Sequence, residues 1–204
     1  VGASPIPVPL DTEQRVDLAA MAEKITADTR LIFVCNPNNP SGTTVTKTEF
    51  AEFMDAVPSD VLVALDEAYI EYNRNADTPL GTELFGTYPN VVFLRTFSKA
   101  YGLAGVRVGY AYGPEDVIAA LNKVAIPFSI NAVAQAGARA ALAAQDSLRE
   151  RTEETCGQRE RVEKELAEWG VPHSEANHVW LPAANIEKLG TPQELAARLA
   201  PVSY

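Results

Sequence analysis

The chain is organised around residues 95–110, which read Arg95-Thr96-Phe97-Ser98-Lys99-Ala100-Tyr101-Gly102-Leu103-Ala104-Gly105-Val106-Arg107-Val108-Gly109-Tyr110. Before them, the apolar run 91–94 follows a Pro-Asn break and predicts a short buried strand. A second strand is predicted from Val106 to Tyr112. Lys99 therefore lies just after the carboxyl end of a predicted strand, with hydroxyl side chains before it and Arg107 beyond it. This order suggests an anionic ligand beside an amine that can form a Schiff base with an aldehyde cofactor, although an isolated Ser-Lys pair is more often only a polar turn.

The composition limits the classes of protein to consider. With 204 residues, 47% apolar and 22% charged, the chain predicts a soluble globular protein with one sizeable core, or one domain and part of another. Its net charge of -10 offers no basic face for phosphates, so we expect no nucleic-acid partner. No apolar run is long enough to span a bilayer, and we expect no membrane association. Cys35 and Cys156 form no metal or disulfide pattern, which predicts no metal site and favours a reducing cytoplasm.

Apolar periodicity predicts strands that alternate with helices as far as Val124. The strands are apolar throughout, which is typical of an α/β fold whose largely parallel sheet is covered on both faces. Besides the two strands above, the predicted elements are a helix over 11–25, a strand over 31–35, a helix from the Thr46–Glu49 capping box to about residue 57, a strand over 61–65, helices over 115–124 and 132–169, a strand over 177–181 and a last helix from the Thr191–Glu194 capping box.

Three polar clusters come directly after three of the predicted strands, at residues 36–42, 66–69 and 96–99. Ligands of such sheets bind beyond the carboxyl ends of the strands. We therefore expect the three clusters to converge in space and to form one site.

The residue types in these clusters match the needs of a cofactor with an aldehyde, a pyridine ring and a phosphate. Such a cofactor requires an amine for the aldehyde, a carboxylate for the ring nitrogen, donors to the ring oxygen, and hydroxyls with a cation for the phosphate. These roles fall, in that order, on Lys99, on Asp66, on Asn39 with Tyr69, and on Thr96 and Ser98 with Arg107.

Each of these residues also has an ordinary interpretation when it is taken alone. Asp66 can be the metal-side acid of a P-loop NTPase or a helix cap, Tyr69 a core residue, and Arg107 half of a structural ion pair. The sequence contains no Gly-x-x-x-x-Gly-Lys-[Ser/Thr], and the glycines after Lys99 lack dinucleotide-binding spacing. The joint order of Asn-Pro-x-Gly, Asp-x-x-Tyr, Ser-Lys and arginine is therefore more specific than any one of its parts.

Three segments resemble class I/II aminotransferases, most closely the branch of histidinol-phosphate and aromatic amino acid aminotransferases: residues 35–43 (CNPNNPSGT), 65–71 (LDEAYIE) and 95–109 (RTFSK through GVRVG). The similarity extends over nearly the whole chain. It implies a three-layer αβα, fold type I large domain that binds pyridoxal 5'-phosphate, over residues 1–155. Residues 156–204 are then the start of a small α+β C-terminal domain.

The resemblance implies amino transfer between glutamate or 2-oxoglutarate and an aromatic amino acid or histidinol phosphate, by a homodimer when the protein is full length. Lys99 is then the Schiff-base lysine and proton shuttle, Asp66 the partner of the ring nitrogen, and Tyr69 with Asn39 the donors to the ring oxygen. Thr96, Ser98 and Arg107 bind the phosphate. His178 stands where the family usually has an aromatic residue, and we interpret it as structural.

Members of this family begin upstream of Val1 and continue past Tyr204, so the chain is expected to be an internal piece of an aminotransferase. The absent parts carry backbone donors to the phosphate and an arginine for the substrate carboxylate. The expectation is weak cofactor binding and little or no amino transfer by residues 1–204 alone. Two alternatives share the same motifs: a decarboxylase of a phosphorylated amino acid and a non-catalytic remnant.

Overall fold

A four-stranded sheet forms the centre of the computed structural model, which describes residues 2–199. Its strands are β1 (Leu31–Cys35), β2 (Leu62–Asp66), β3 (Val91–Thr96) and β4 (Gly109–Tyr112), in that spatial order. The first three are parallel and β4 is antiparallel to β3. Because Cys35 pairs with Asp66 and Asp66 with Leu94, the carboxyl ends of β1, β2 and β3 reach the same edge of the sheet.

Helices flank this sheet. Three of them come before β3 in the chain, and the others follow β4. The α-helices are α1 (Leu18–Glu23), α2 (Lys47–Ala56), α3 (Gly81–Leu84), α4 (Glu115–Val124), α5 (Ala132–Ala143), α6 (Gln145–Glu165) and α7 (Pro192–Leu199). Short 3₁₀ segments occupy Ile70–Tyr72, Ala104–Val106, Ala167–Trp169 and Ala183–Leu189. Within residues 2–199, no helix is long and apolar enough to cross a membrane. The mostly parallel sheet with flanking helices confirms the predicted α/β class.

The main core lies between one face of the sheet and helices α1 and α2. Val34, Val63, Leu65 and Val91 are fully buried on this face, where they pack with apolar residues of the two helices. Thr46 starts α2 as predicted: its hydroxyl accepts from the Glu49 backbone N–H, and the Glu49 carboxylate accepts from the Thr46 N–H. Such a cap stabilises a helix by about 1 kcal/mol.

Several predicted boundaries differ from the structure. The helix predicted over 11–25 is reduced to α1, because the Asp11 carboxylate accepts from the N–H of Glu13 and Arg15 in a turn, and Asp17 caps the helix later. The strand predicted from Val106 begins at Gly109, after a 3₁₀ turn. The long helix predicted over 132–169 breaks at Ala144, between the alanine-rich end of α5 and the polar start of α6 at Gln145.

The strand predicted over 177–181 is absent from the described part of the chain. The preceding residues are held by the loop after β1, since the Glu175 N–H donates to the Gly42 carbonyl at 2.7 Å. The segment that contains Glu175 therefore lies against that loop, and residues 177–181 pair with no strand of the described chain. The predicted domain boundary at 155/156 falls inside α6, which continues through it. Residues 1 and 200–204 of the two predicted domains lie outside the described residues.

Candidate active site

Asn39, Tyr69 and Lys99 form one cluster at the carboxyl edge of the sheet. The Asn39 Nδ2 donates to the Tyr69 hydroxyl at 2.9 Å, and the Lys99 Nζ lies 5.3 Å from the centre of the Tyr69 ring. The Tyr69 ring is buried, whereas Asn39 and Lys99 are exposed. The amine, the phenol and the amide therefore meet with the amine open to solvent, as their strand positions predicted.

Asp66 ends β2 beside this cluster and is partly buried. Its Oδ1 accepts the Ala68 backbone N–H at 3.0 Å, and within residues 2–199 the carboxylate has no ion-pair partner. Burial raises the pKa of Asp66, the Ala68 N–H lowers it, and the charge of Glu67 raises it further. A cationic group brought to this carboxylate would favour its ionised form.

Thr96 and Ser98 occupy the turn after β3. The Thr96 hydroxyl accepts the Ser98 backbone N–H at 3.0 Å, which closes the turn just before Lys99. Arg107 follows a 3₁₀ turn with a φ of 56°, in the left-handed region that few non-glycine residues adopt. Its guanidinium is exposed and donates to the Ala104 carbonyl at 2.7 Å. The structure thus brings Thr96 and Ser98 together, while Arg107 bonds within its own turn and not to either hydroxyl.

Residues 174–178, which come after α6 in the chain, lie against the cluster. Gly42 has a φ of 75°, and a Cβ there would lie 2.0 Å from the Ser174 Oγ, so only glycine allows this close approach. Three residues beyond the Glu175–Gly42 hydrogen bond, the ring of His178 meets the Tyr69 ring at 5.2 Å between centroids and an interplanar angle of 80°. The sequence pattern did not predict this contact with the site.

A buried charge network lies on the opposite side of β2 from Asp66, because successive side chains of a strand alternate between faces. Glu67 is fully buried and accepts three hydrogen bonds, from the Gly81 N–H at 2.8 Å, the Arg95 Nε at 2.9 Å and the Tyr112 hydroxyl at 2.9 Å. Sequence reasoning missed this network. Its signal was a second carboxylate after an apolar strand, which when buried requires a cation beside it, here the partly buried Arg95.

Glu71 lies near this network, and we predict that it makes the fold less stable at alkaline pH. Burial raises the pKa of Glu71 to about 7, and its backbone hydrogen bond and the charge of Arg95 oppose the shift only in part. The ordinary pKa of 4.5 applies to the unfolded chain. The folded state therefore keeps a proton that the unfolded state loses, so this stabilisation is full below pH 4.5 and disappears as the pH rises through about 7.

Glu71→Gln mimics the protonated acid and should raise the free energy of unfolding at pH 8 by about 1–3 kcal/mol, with little effect at pH 4.5. Urea unfolding at both pH values measures the difference. Glu52→Gln on the exposed face of α2 is the control. Equal effects of Glu71→Gln at the two pH values would contradict the prediction.

Comparisons with known proteins agree with this geometry. A family model described as aminotransferase class I and II matches residues 1–200. An aromatic amino acid aminotransferase of Corynebacterium diphtheriae is 57% identical over 200 residues, which cover 98% of this chain and 57% of that protein. One of Rhodococcus jostii is 59% identical over 184 residues, which cover 89% of this chain and 51% of that protein.

Among solved structures, a histidinol-phosphate aminotransferase from Sinorhizobium meliloti in complex with pyridoxal-5'-phosphate superposes with a TM-score of 0.74 at 35% identity, covering 85% of this chain and 48% of that one. The chain thus spans about half the length of the relatives that it matches. Since the family model covers nearly all of residues 1–204, the chain belongs to the class I and II aminotransferases.

Proposed function

We propose that this chain forms the cofactor-binding part of a pyridoxal-phosphate-dependent aromatic amino acid aminotransferase. The observation that carries the proposal is the cluster in which the Lys99 amine lies over the Tyr69 ring while Tyr69 is hydrogen-bonded to Asn39. Two relatives that are 57% and 59% identical are aromatic amino acid aminotransferases. The similarity to a histidinol-phosphate enzyme is lower, at 35% identity, so aromatic substrates are favoured.

The donor set fits pyridoxal phosphate. Asp66 is a partly buried carboxylate whose pKa is raised by burial, so a protonated ring nitrogen would supply the cation that it lacks. Lys99 is exposed, so its amine is accessible to an aldehyde. Thr96 and Ser98 place two hydroxyls in the turn beside it, and Arg107 would have to turn from Ala104 to join them on the phosphate.

The roles of the residues follow from this fit. When it is bound, pyridoxal phosphate supplies an electron sink that stabilises negative charge at the substrate α-carbon. Asp66 would hold the proton on the ring nitrogen, and Asn39 and Tyr69 would donate hydrogen bonds to the ring oxygen. The Lys99 amine would hold the cofactor aldehyde and move a proton at the substrate α-carbon.

The larger organisation is also a proposal. We assign residues 1–155 to the large, cofactor-binding domain and residues 156–204 to the start of a small C-terminal domain. The full-length protein is proposed to act as a homodimer, with glutamate and 2-oxoglutarate as the other amino donor and acceptor pair.

Covalent trapping tests the assignment of Lys99. Pyridoxal phosphate is added to the protein, the visible absorbance is recorded, and borohydride reduction is followed by peptide mapping. We expect the label on Lys99 and no label in Lys99→Arg. Lys47→Arg is the control and should still be labelled at Lys99, because Lys47 is paired with Glu83 at 2.8 Å. A label on Lys47 or Lys123, with none on Lys99, would contradict the assignment.

Amino transfer tests the substrate class. The full-length holoenzyme is assayed with phenylalanine, tyrosine and histidinol phosphate as donors and 2-oxoglutarate as acceptor. We expect higher kcat/KM for the aromatic amino acids. A higher kcat/KM for histidinol phosphate would overturn the choice of substrate, and loss of carbon dioxide without amino transfer would favour a decarboxylase.

A further inference from the structure

His178 has a buried nitrogen that simple packing does not explain. Its ring meets the Tyr69 ring edge to face, a contact that any aromatic side chain can make. Its Nδ1 lies 3.3 Å from the Asn177 Oδ1, but its Nε2 is buried and has no hydrogen-bond partner within the described part of the chain. A buried polar atom without a partner costs free energy, so its presence calls for a reason.

The surroundings of His178 favour the neutral imidazole. Burial lowers the pKa of His178, the carbonyl of Pro40 acts in the opposite direction, and the charge of Lys99 lowers the pKa further. A neutral imidazole carries one N–H, and the Pro40 carbonyl can only accept a hydrogen bond. That single N–H can go to the Asn177 Oδ1 or towards the Pro40 carbonyl, which belongs to the loop that carries Asn39.

The backbone just before His178 holds it in this place. The Glu175 N–H donates to the Gly42 carbonyl at 2.7 Å, so the segment before His178 is fastened to the loop that contains Pro40. The Ala176 carbonyl accepts from Arg159 of α6 at 3.0 Å, and Ala176 is fully buried. His178 thus projects from a fixed segment between the Tyr69 ring and the Asn39-Pro40 loop.

We propose that His178 is a positioning residue of the candidate site, which acts through Tyr69 and Pro40 to hold the hydrogen-bonded pair Asn39–Tyr69 towards the ligand. The inference rests on the proposed function, because that pair is the proposed donor set for the cofactor's ring oxygen. Donors aimed at an oxygen anion lower the pH at which that oxygen loses its proton. Loosening the pair should raise this pH and weaken the binding of the cofactor.

Three variants in the full-length protein separate positioning from packing. His178→Phe keeps an aromatic edge for Tyr69 but removes the N–H. His178→Gln removes the ring but keeps an N–H at a similar reach. His173→Phe is the matched control, since His173 lies on the same segment and is bonded to Glu163 and Glu175 rather than to the cluster.

The probe is pyridoxal phosphate, with two readouts besides activity: its dissociation constant and the pH midpoint at which the visible absorbance of the bound cofactor changes. For His178→Phe, which removes the one N–H that can point towards the loop, we expect about 3–10-fold weaker binding of pyridoxal phosphate and a pH midpoint raised by at least about half a unit. His178→Gln should bring the pH midpoint most of the way back to the wild-type value. His173→Phe should change neither the midpoint nor the dissociation constant.

A midpoint unchanged in His178→Phe, whatever its thermal stability, would show that His178 only packs and would overturn the inference. The proposed function would stand in that case, because it depends on the label at Lys99. If the wild-type protein itself takes up no cofactor at Lys99, the proposed function fails and this inference fails with it. His178→Leu, which also lacks the N–H, gives the same test if the Phe variant does not fold.

Discussion

Asp66→Asn should lower the turnover of the full-length holoenzyme by about 10²–10³-fold, which corresponds to a barrier higher by about 3–4 kcal/mol. The carboxylate ends β2 at the edge of the sheet, partly buried and without an ion-pair partner in the described residues. An amide of the same shape cannot hold the ring nitrogen protonated by its charge, so the electron sink that amino transfer needs would be weakened.

Steady-state kinetics with an aromatic amino acid and 2-oxoglutarate measure this effect. Asp55→Asn, on the exposed face of α2, is the matched control and should leave turnover unchanged. Tyr69→Phe should cost less than Asp66→Asn, because it would remove only the one proposed hydrogen bond to the cofactor's ring oxygen and keeps the ring that contacts Lys99 and His178. Cofactor content must be equal in all variants. Full turnover by Asp66→Asn at equal cofactor content would reject the role of this carboxylate.

The second large effect concerns the stability of the fold, and it is expected at Glu67. Glu67→Ala should lower the free energy of unfolding by about 3–5 kcal/mol, because it leaves the partly buried Arg95 guanidinium without its carboxylate. The same change removes acceptors from the Tyr112 hydroxyl and the Gly81 N–H. Gly81 itself has no room for a side chain, since a Cβ would lie 2.7 Å from the Glu67 Oε2.

Urea unfolding of Glu67→Ala and of a control variant, Glu83→Ala, tests this expectation. Glu83→Ala is the control, because the Lys47–Glu83 pair is about half exposed and such pairs contribute about 0–1 kcal/mol. The double change Glu67→Met with Arg95→Met removes both charges and should cost less than Glu67→Ala alone. If Glu67→Ala does not fold, the folded double variant supports the explanation. A loss from Glu67→Ala no larger than that from Glu83→Ala would refute it.

The amino-acid sequence by itself determined the features that depend on neighbours in the chain. Continuous apolar runs specified β1, β2 and β3, and the Thr46–Glu49 pair marked the start of α2. Because parallel strands end at one edge, the order of the clusters around Asn39, Tyr69 and Lys99 was enough to predict that they meet.

Only the tertiary structure decided the features that depend on residues far apart in the chain. Glu67 finds Arg95 and Tyr112 across two strand pairings, and Gly42 finds Ser174 and Glu175 through a contact that no local pattern encodes. That contact turned residues 177–181 away from any strand and brought His178 onto Tyr69. Periodicity and turn chemistry act over a few residues, whereas the burial of a charge or a ring is settled by what the completed fold places against it.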